Sequence, residues 1–168
     1  MNKLYVITGP AGVGKSTVSN GIAKRLEKSC LIEGDDVYHF VKGGYVSPWL
    51  EGNHLDLFWD NSISLMSNSL SKGYDVVFNY ILDKEDVKLI KNKFNDVEIK
   101  FVVLLVDEKT IVERDNLREE DCRMGERSLI LLKEMIDENF DDSNILNTSD
   151  LSVEETIDII IKEERFKI

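Results

Sequence analysis

Apolar runs without polar alternation recur along this chain. Each is followed by a stretch in which apolar residues return every three or four positions. The runs fall at 4–8, 30–32, 76–80, 99–106 and, more weakly, 144–146. A run with no polar side suits a strand buried on both faces, as in a parallel sheet covered by helices. Between the runs, Leu55, Trp59, Ile63, Met66 and Leu70 form one helical stripe, closed by Gly73. Val87, Ile90 and Phe94 form a shorter one, and Leu129, Leu132, Ile136 and Phe140 another. A final stripe of Val153, Ile157, Ile160 and Ile161 follows the capping-box pattern of Ser152 and Glu155. The succession predicts a three-layer α/β fold with right-handed crossovers around a five-stranded parallel sheet. No internal repeat or linker interrupts it, so residues 1–168 are expected to form a single domain.

The first strand leads into Gly9-Pro10-Ala11-Gly12-Val13-Gly14-Lys15-Ser16, and a helical pattern with Val18, Ile22 and Leu26 follows. The octapeptide fits G-x-x-x-x-G-K-[ST], the loop that cradles nucleoside triphosphates. Its glycines let successive N–H groups turn inward onto phosphate oxygens, and the helix N-terminus behind them adds positive potential. Gly9, Ala11, Gly12, Val13, Gly14, Lys15, Ser16 and Thr17 are therefore candidate ATP-binding residues, with Lys15 on the β- and γ-phosphates and Ser16 on Mg²⁺.

Charge narrows the partners. Asp and Glu number 32 against 21 Lys and Arg, for a formal net charge of -11. Such a surface repels nucleic acid and anionic lipid while leaving room for a small anion in a local basic pocket. No apolar run approaches the roughly 18 residues that span a bilayer, and no signal peptide is evident. Cys30 and Cys122 have no metal-binding or redox spacing. A cytoplasmic protein, monomer or homodimer, is the expectation.

Three features separate this chain from other proteins with such a loop. The second strand runs into Glu33-Gly34-Asp35-Asp36, at the sheet edge where open α/β folds hold ligands. One of these carboxylates is a candidate to accept a proton from an attacking hydroxyl, or the two aspartates simply cap the next helix. Arg114, Arg118, Arg123 and Arg127 cluster after the fourth strand, either to meet phosphate or as solvated partners of nearby acids such as Asp115. The length leaves no room for the extra subdomains of motors or transporters. Asn147-Thr148-Ser149-Asp150 lacks the lysine of the guanine-reading loop of GTPases.

On these residues the chain resembles the P-loop small-molecule kinases, a group that includes shikimate kinase, gluconate kinase and chloramphenicol phosphotransferase. The likeness is most specific at the P-loop, at Gly34-Asp35 and at Arg123-Met124-Gly125-Glu126-Arg127. It implies a sheet of order 2-3-1-4-5 and transfer of the γ-phosphoryl of ATP, with Mg²⁺, to a hydroxyl of a small molecule. By the same resemblance Asp35 meets the acceptor hydroxyl, and Arg123 and Arg127 close on the phosphates. Arg118 also falls to the nucleotide, and Asn147 to Ser149 border the adenine through Thr148. The lid would span about 114–128 and the substrate region about 35–60, with Lys42, Tyr45, Trp49, His54 and Trp59 as candidate lining. The third strand departs from the pattern by ending in Asn79-Tyr80, where many P-loop proteins carry a magnesium-holding Asp. That departure keeps open a nucleotide-binding regulatory protein without turnover, and the shared P-loop and lid pattern keeps open a nucleoside or 5′-hydroxyl polynucleotide kinase.

Overall fold

The computed structural model describes residues 2–50, 52–117, 120 and 123–168. Five strands carry the sheet: β1 (Lys3–Thr8), β2 (Ser29–Glu33), β3 (Asp75–Asn79), β4 (Glu98–Leu105) and β5 (Ile145–Asn147). They run parallel in the order β2-β3-β1-β4-β5, the P-loop NTPase arrangement expected from the sequence. The helices of the described residues are α1 (Lys15–Arg25), α2 (Gly34–Tyr38), α3 (His54–Ser71), α4 (Lys84–Lys93), α5 (Glu108–Asn116), α6 (Glu126–Asp137) and α7 (Val153–Lys162).

Alternating strand residues serve two apolar layers, as the pleat requires. Leu4, Val6, Val76, Phe78, Ile99 and Phe101 pack with Phe58 and Met66 of α3 and Ile90 of α4. Tyr5, Ile7, Val77, Val102 and Leu104 pack with Val18 and Ile22 of α1, Ile111 of α5, and Ile157 and Ile160 of α7. Trp59 belongs to the first layer, its ring 5.1 Å from Phe58 and 6.3 Å from Phe78. Half-buried, it packs against this layer.

Several expected positions differ. Ile136 is 54% exposed and Val153 43% exposed, so neither serves the core stripe; on α6 the buried places go to Leu132 and Met135. Asn144 lies in a short 3-10 turn before β5, where its amide donates to the Phe101 carbonyl at 3.1 Å. Lys100 is fully buried inside the fourth apolar run. Its Nζ donates to the carbonyls of Ile160, Ile161 and Glu163 at 3.2, 2.6 and 3.0 Å. A strand lysine thus satisfies the orphan carbonyls at the end of α7.

The cap of α4 gives the fold a pH dependence. Asp83 and Asp86 exchange side-chain-to-backbone hydrogen bonds at 2.9 and 3.1 Å. Burial, opposed by the bond from the Asp83 N–H and helped by the charges of Asp83 and Glu138, pushes the Asp86 carboxyl from 3.8 up to about 6. A raised carboxyl value means the folded state holds the proton longer. The associated stability is complete below pH about 4 and is lost as pH rises through about 6. Asp86→Asn keeps the acceptor and removes the charge. Its Tm at pH 7.5 is expected to exceed that of the wild type by a few degrees, after discounting the shift to roughly 1 kcal/mol for partial exposure. The two proteins should melt together near pH 4; an equal difference at both pH values would refute the assignment.

Candidate active site

The loop after β1 and the first turn of α1 form the floor of the site. Gly9, Gly12 and Gly14 take φ of 148°, 86° and 105°, in the left-handed half of backbone space that glycine tolerates. At Gly9 a Cβ would also drive into the carbonyl oxygen of Leu104. This curled backbone ending at a helix N-terminus is the arrangement that binds phosphate. Lys15 folds over the loop, its Nζ donating to the Gly9 carbonyl at 2.9 Å and to that of Pro10 at 3.0 Å. Ala11 is half-buried, Val13 is buried beneath the loop, and Thr17 is exposed on the first turn.

Two clamps join this loop to distant segments. Ser16 Oγ donates to Glu33 Oε2 at 2.8 Å, bringing the end of β2 against the first turn of α1. Glu33 precedes α2 but makes no side-chain cap there, so its carboxylate is spent on Ser16. Arg114 of α5 donates to the Val13 carbonyl at 2.7 Å, and to the Thr148 hydroxyl and carbonyl at 3.3 and 2.9 Å. Thr148, only 3% exposed, follows β5. The guanidinium therefore locks the P-loop to the expected adenine-side segment. Sequence reasoning left Arg114 between phosphate contact and solvated pairing; its partners in the structure are the Val13 carbonyl and Thr148 rather than nearby acids. The signal was its place in the arginine cluster; its partner, 101 residues away, was not legible.

The aspartates sit differently from the expected strand end. Glu33 closes β2, and Asp35 and Asp36 occupy the first turn of α2, both exposed. Helical spacing, not strand alternation, separates their directions. Burial pushes the Tyr80 phenol well above its ordinary value, and the charge of Asp35 adds to the shift. Tyr80 covers Gly34 so closely that a Cβ there would meet the ring at 2.5 Å. Asn79 pairs in register with Ile7 and Glu33, is 4% exposed, and leaves its Nδ2 without a hydrogen-bond partner.

Of the arginine-bearing segment expected over about 114–128, residues 114–116 are helical in α5 and 126–128 in α6. Arg118 and Cys122 lie outside the described residues. Asp115 is not a solvated partner: it is 3% exposed and accepts from the N–H groups of Met124, at 3.0 Å to each oxygen, and Gly125, at 2.8 Å. It pins the start of α6 to the end of α5. Arg123 is exposed just ahead of α6. The Arg127 guanidinium lies 4.7 Å from the centre of the Trp49 ring. Tyr45 and His54 line a small cavity, whereas Lys42 is exposed outside it.

The sheet order, the glycine cradle and the carboxylates on one edge define a P-loop nucleotide-binding protein of kinase-like fold. The chain belongs to the AAA domain family, whose model matches residues 6–147. No curated protein matches the sequence. Among solved structures, a sugar kinase from a Janibacter species is similar with a TM-score of 0.69 and 16% identity over 94% of this chain and 91% of that one. A tunicamycin resistance protein of Deinococcus radiodurans follows at 0.68, with 15% identity over 95% and 94%. A gluconokinase from Sinorhizobium meliloti gives 0.66, with 18% identity over 94% and 89%. At these identities the likeness is one of fold. No helix of the described residues is long and apolar enough to cross a membrane.

Proposed function

We propose that this protein transfers the γ-phosphoryl group of ATP to a hydroxyl of a small molecule. The observation that carries the reading is the Ser16–Glu33 hydrogen bond of 2.8 Å. It brings the β2 edge, with Asp35 two residues on, against the phosphate-binding loop. A nucleotide held on the loop then has a carboxylate within reach on the acceptor side.

The roles divide by chemistry. The loop N–H groups and Lys15 bind the phosphates. Arg114 holds the loop and the Thr148 segment at one spacing. Asp35 orients the acceptor hydroxyl and takes its proton. Arg123 and Arg127 offset charge on the transferring group as the segment between α5 and α6 closes and excludes water. Little covalent work falls to the protein, so placement and electrostatics supply the rate. Glu33 and Ser16 offer the hard oxygen donors that Mg²⁺ prefers, so they fit the ion and would hold it directly or through water. The ion, held there, would supply charge neutralisation for the phosphates. The neutral Asn79 is thus compensated from the neighbouring strand, which weighs against the reading without turnover. The charge of -11 weighs against a long polynucleotide acceptor.

The test is ADP–Mg²⁺ binding followed by an ATP-dependent transfer screen over sugars, sugar acids, nucleosides and aryl alcohols. Nucleotide at about 100 times Kd should stabilise the protein by about 2.7 kcal/mol, raising Tm by roughly 5–10 °C. No stabilisation and no transfer to any acceptor would sink the proposal. Arg114→Lys keeps a charge but loses the fork that reaches Val13 and Thr148 together. Its affinity for ADP in calorimetry is expected to fall about tenfold, or about 1.4 kcal/mol. Unchanged affinity would make the clamp merely structural.

A further inference from the structure

We infer that the acceptor is an uncharged alcohol bearing a flat ring, recognised by an aromatic wall running from Asp35 to Tyr45. The inference rests on the phosphotransferase reading and narrows its substrate class. Its first support is charge. Residues 35–60 contain Asp35, Asp36, Glu51, Asp56 and Asp60 against a single Lys42 and no arginine. A carboxylate acceptor such as a sugar acid must have its anion desolvated and paired, which asks for a guanidinium or ammonium group. Among the described residues lining its cavity there is no lysine or arginine, and the Arg127 guanidinium over Trp49 is assigned to the transferring group. The anion would also lie near Asp35 and the phosphates.

The second support is the continuity of the rings. Tyr80, which covers Gly34 next to Asp35, packs on Phe58 at 4.6 Å between ring centres. Phe58 meets Tyr38 at 5.9 Å, and Tyr38 meets Tyr45 at 5.7 Å and His54 at 6.4 Å. These separations suit offset and edge-on ring contacts; Phe58 and Tyr38 are buried within the series, and Tyr45, 44% exposed, is its open end. The wall ends in a cavity of about 30 Å³ lined by Tyr38, Tyr45, His54, Leu57, Phe58 and Asn61. Within this lining His54 Nε2 is buried without a hydrogen-bond partner. A lone unsatisfied polar atom in an aromatic pocket is what fixes a ligand's orientation.

The cavity as it stands holds little more than a water, so a ring enters by displacing Tyr45. That side chain is 44% exposed, and its hydroxyl has only a long 3.5 Å contact with His39 Nε2. Displacing it breaks its stack on His39 at 5.6 Å and its edge contact with Tyr38 at 5.7 Å, which the entering ring replaces.

The test measures binding of uridine, phenylethanediol, gluconate and shikimate to the protein saturated with ADP–Mg²⁺. At least one neutral ring compound is expected to bind about tenfold tighter than either carboxylate. His54→Ala should weaken that compound about fivefold, while His54→Gln restores it and ADP affinity stays unchanged in both. The pattern across uridine and phenylethanediol separates a nucleoside from an aryl alcohol. Tighter binding of a carboxylate, or no ring compound bound by protein that does bind ADP, would overturn the inference and leave the phosphotransferase reading standing. Failure to bind ADP at all would remove both.

Discussion

Lys15→Ala is expected to lower phosphoryl transfer by at least about 10³-fold while the fold survives. The magnitude follows from removing a preorganised cation from the place where transition-state charge develops, in a site that excludes water. The fold should survive because Lys15 is not part of either apolar layer. Its Nζ is bonded to the Gly9 and Pro10 carbonyls at the surface of the loop, and the glycine geometry that sets the loop is independent of it. Melting of the nucleotide-free variant should therefore differ little from that of the wild type. ATP–Mg²⁺ should stabilise the wild type by several degrees and the variant much less. Equal stabilisation would mean that the ammonium does not touch the phosphates, and the assignment of the loop would fall with it.

What the sequence revealed and what it hid divide along a physical line. Strands buried on both faces leave an uninterrupted apolar signature, so β1, β3 and β4 were legible to within a residue or so. The P-loop was legible because its backbone demands glycine at fixed spacing and its chemistry demands Lys15 and Ser16. The clamps were not. The Ser16–Glu33 bond depends on α1 crossing over to the outermost strand, β2, and the Arg114 clamp on α5 returning to the P-loop. Neither follows from spacing. Periodicity also misassigned Ile136 and Val153, because an apolar residue at the right interval is buried only if a neighbour covers it. Lys100 shows the converse: its charge gave no hint of burial, since the carbonyls that satisfy it belong to the end of another element.

Asp35→Asn is expected to reduce transfer to the acceptor by about 10²-fold or more, with a smaller effect for Asp36→Asn. Both carboxylates lie on the first turn of α2, and both are exposed, so exposure does not distinguish them. Position does. Asp35 directly follows Gly34, which Tyr80 covers, and Tyr80 packs on Phe58 along the ring path to the cavity. Asp36 is one residue further from that contact. The expected loss is that of a positioned proton acceptor. In a loose transition state the proton leaves late, so much of the effect should come through orientation of the hydroxyl. Asn preserves shape and one hydrogen-bonding oxygen, which separates the charge from the packing. ADP affinity should hardly move in either variant, because the loop, Lys15 and Arg114 are untouched. Single-turnover transfer with saturating ATP is the measurement. A larger loss from Asp36→Asn than from Asp35→Asn would exchange the two roles and place the acceptor on the other flank of α2.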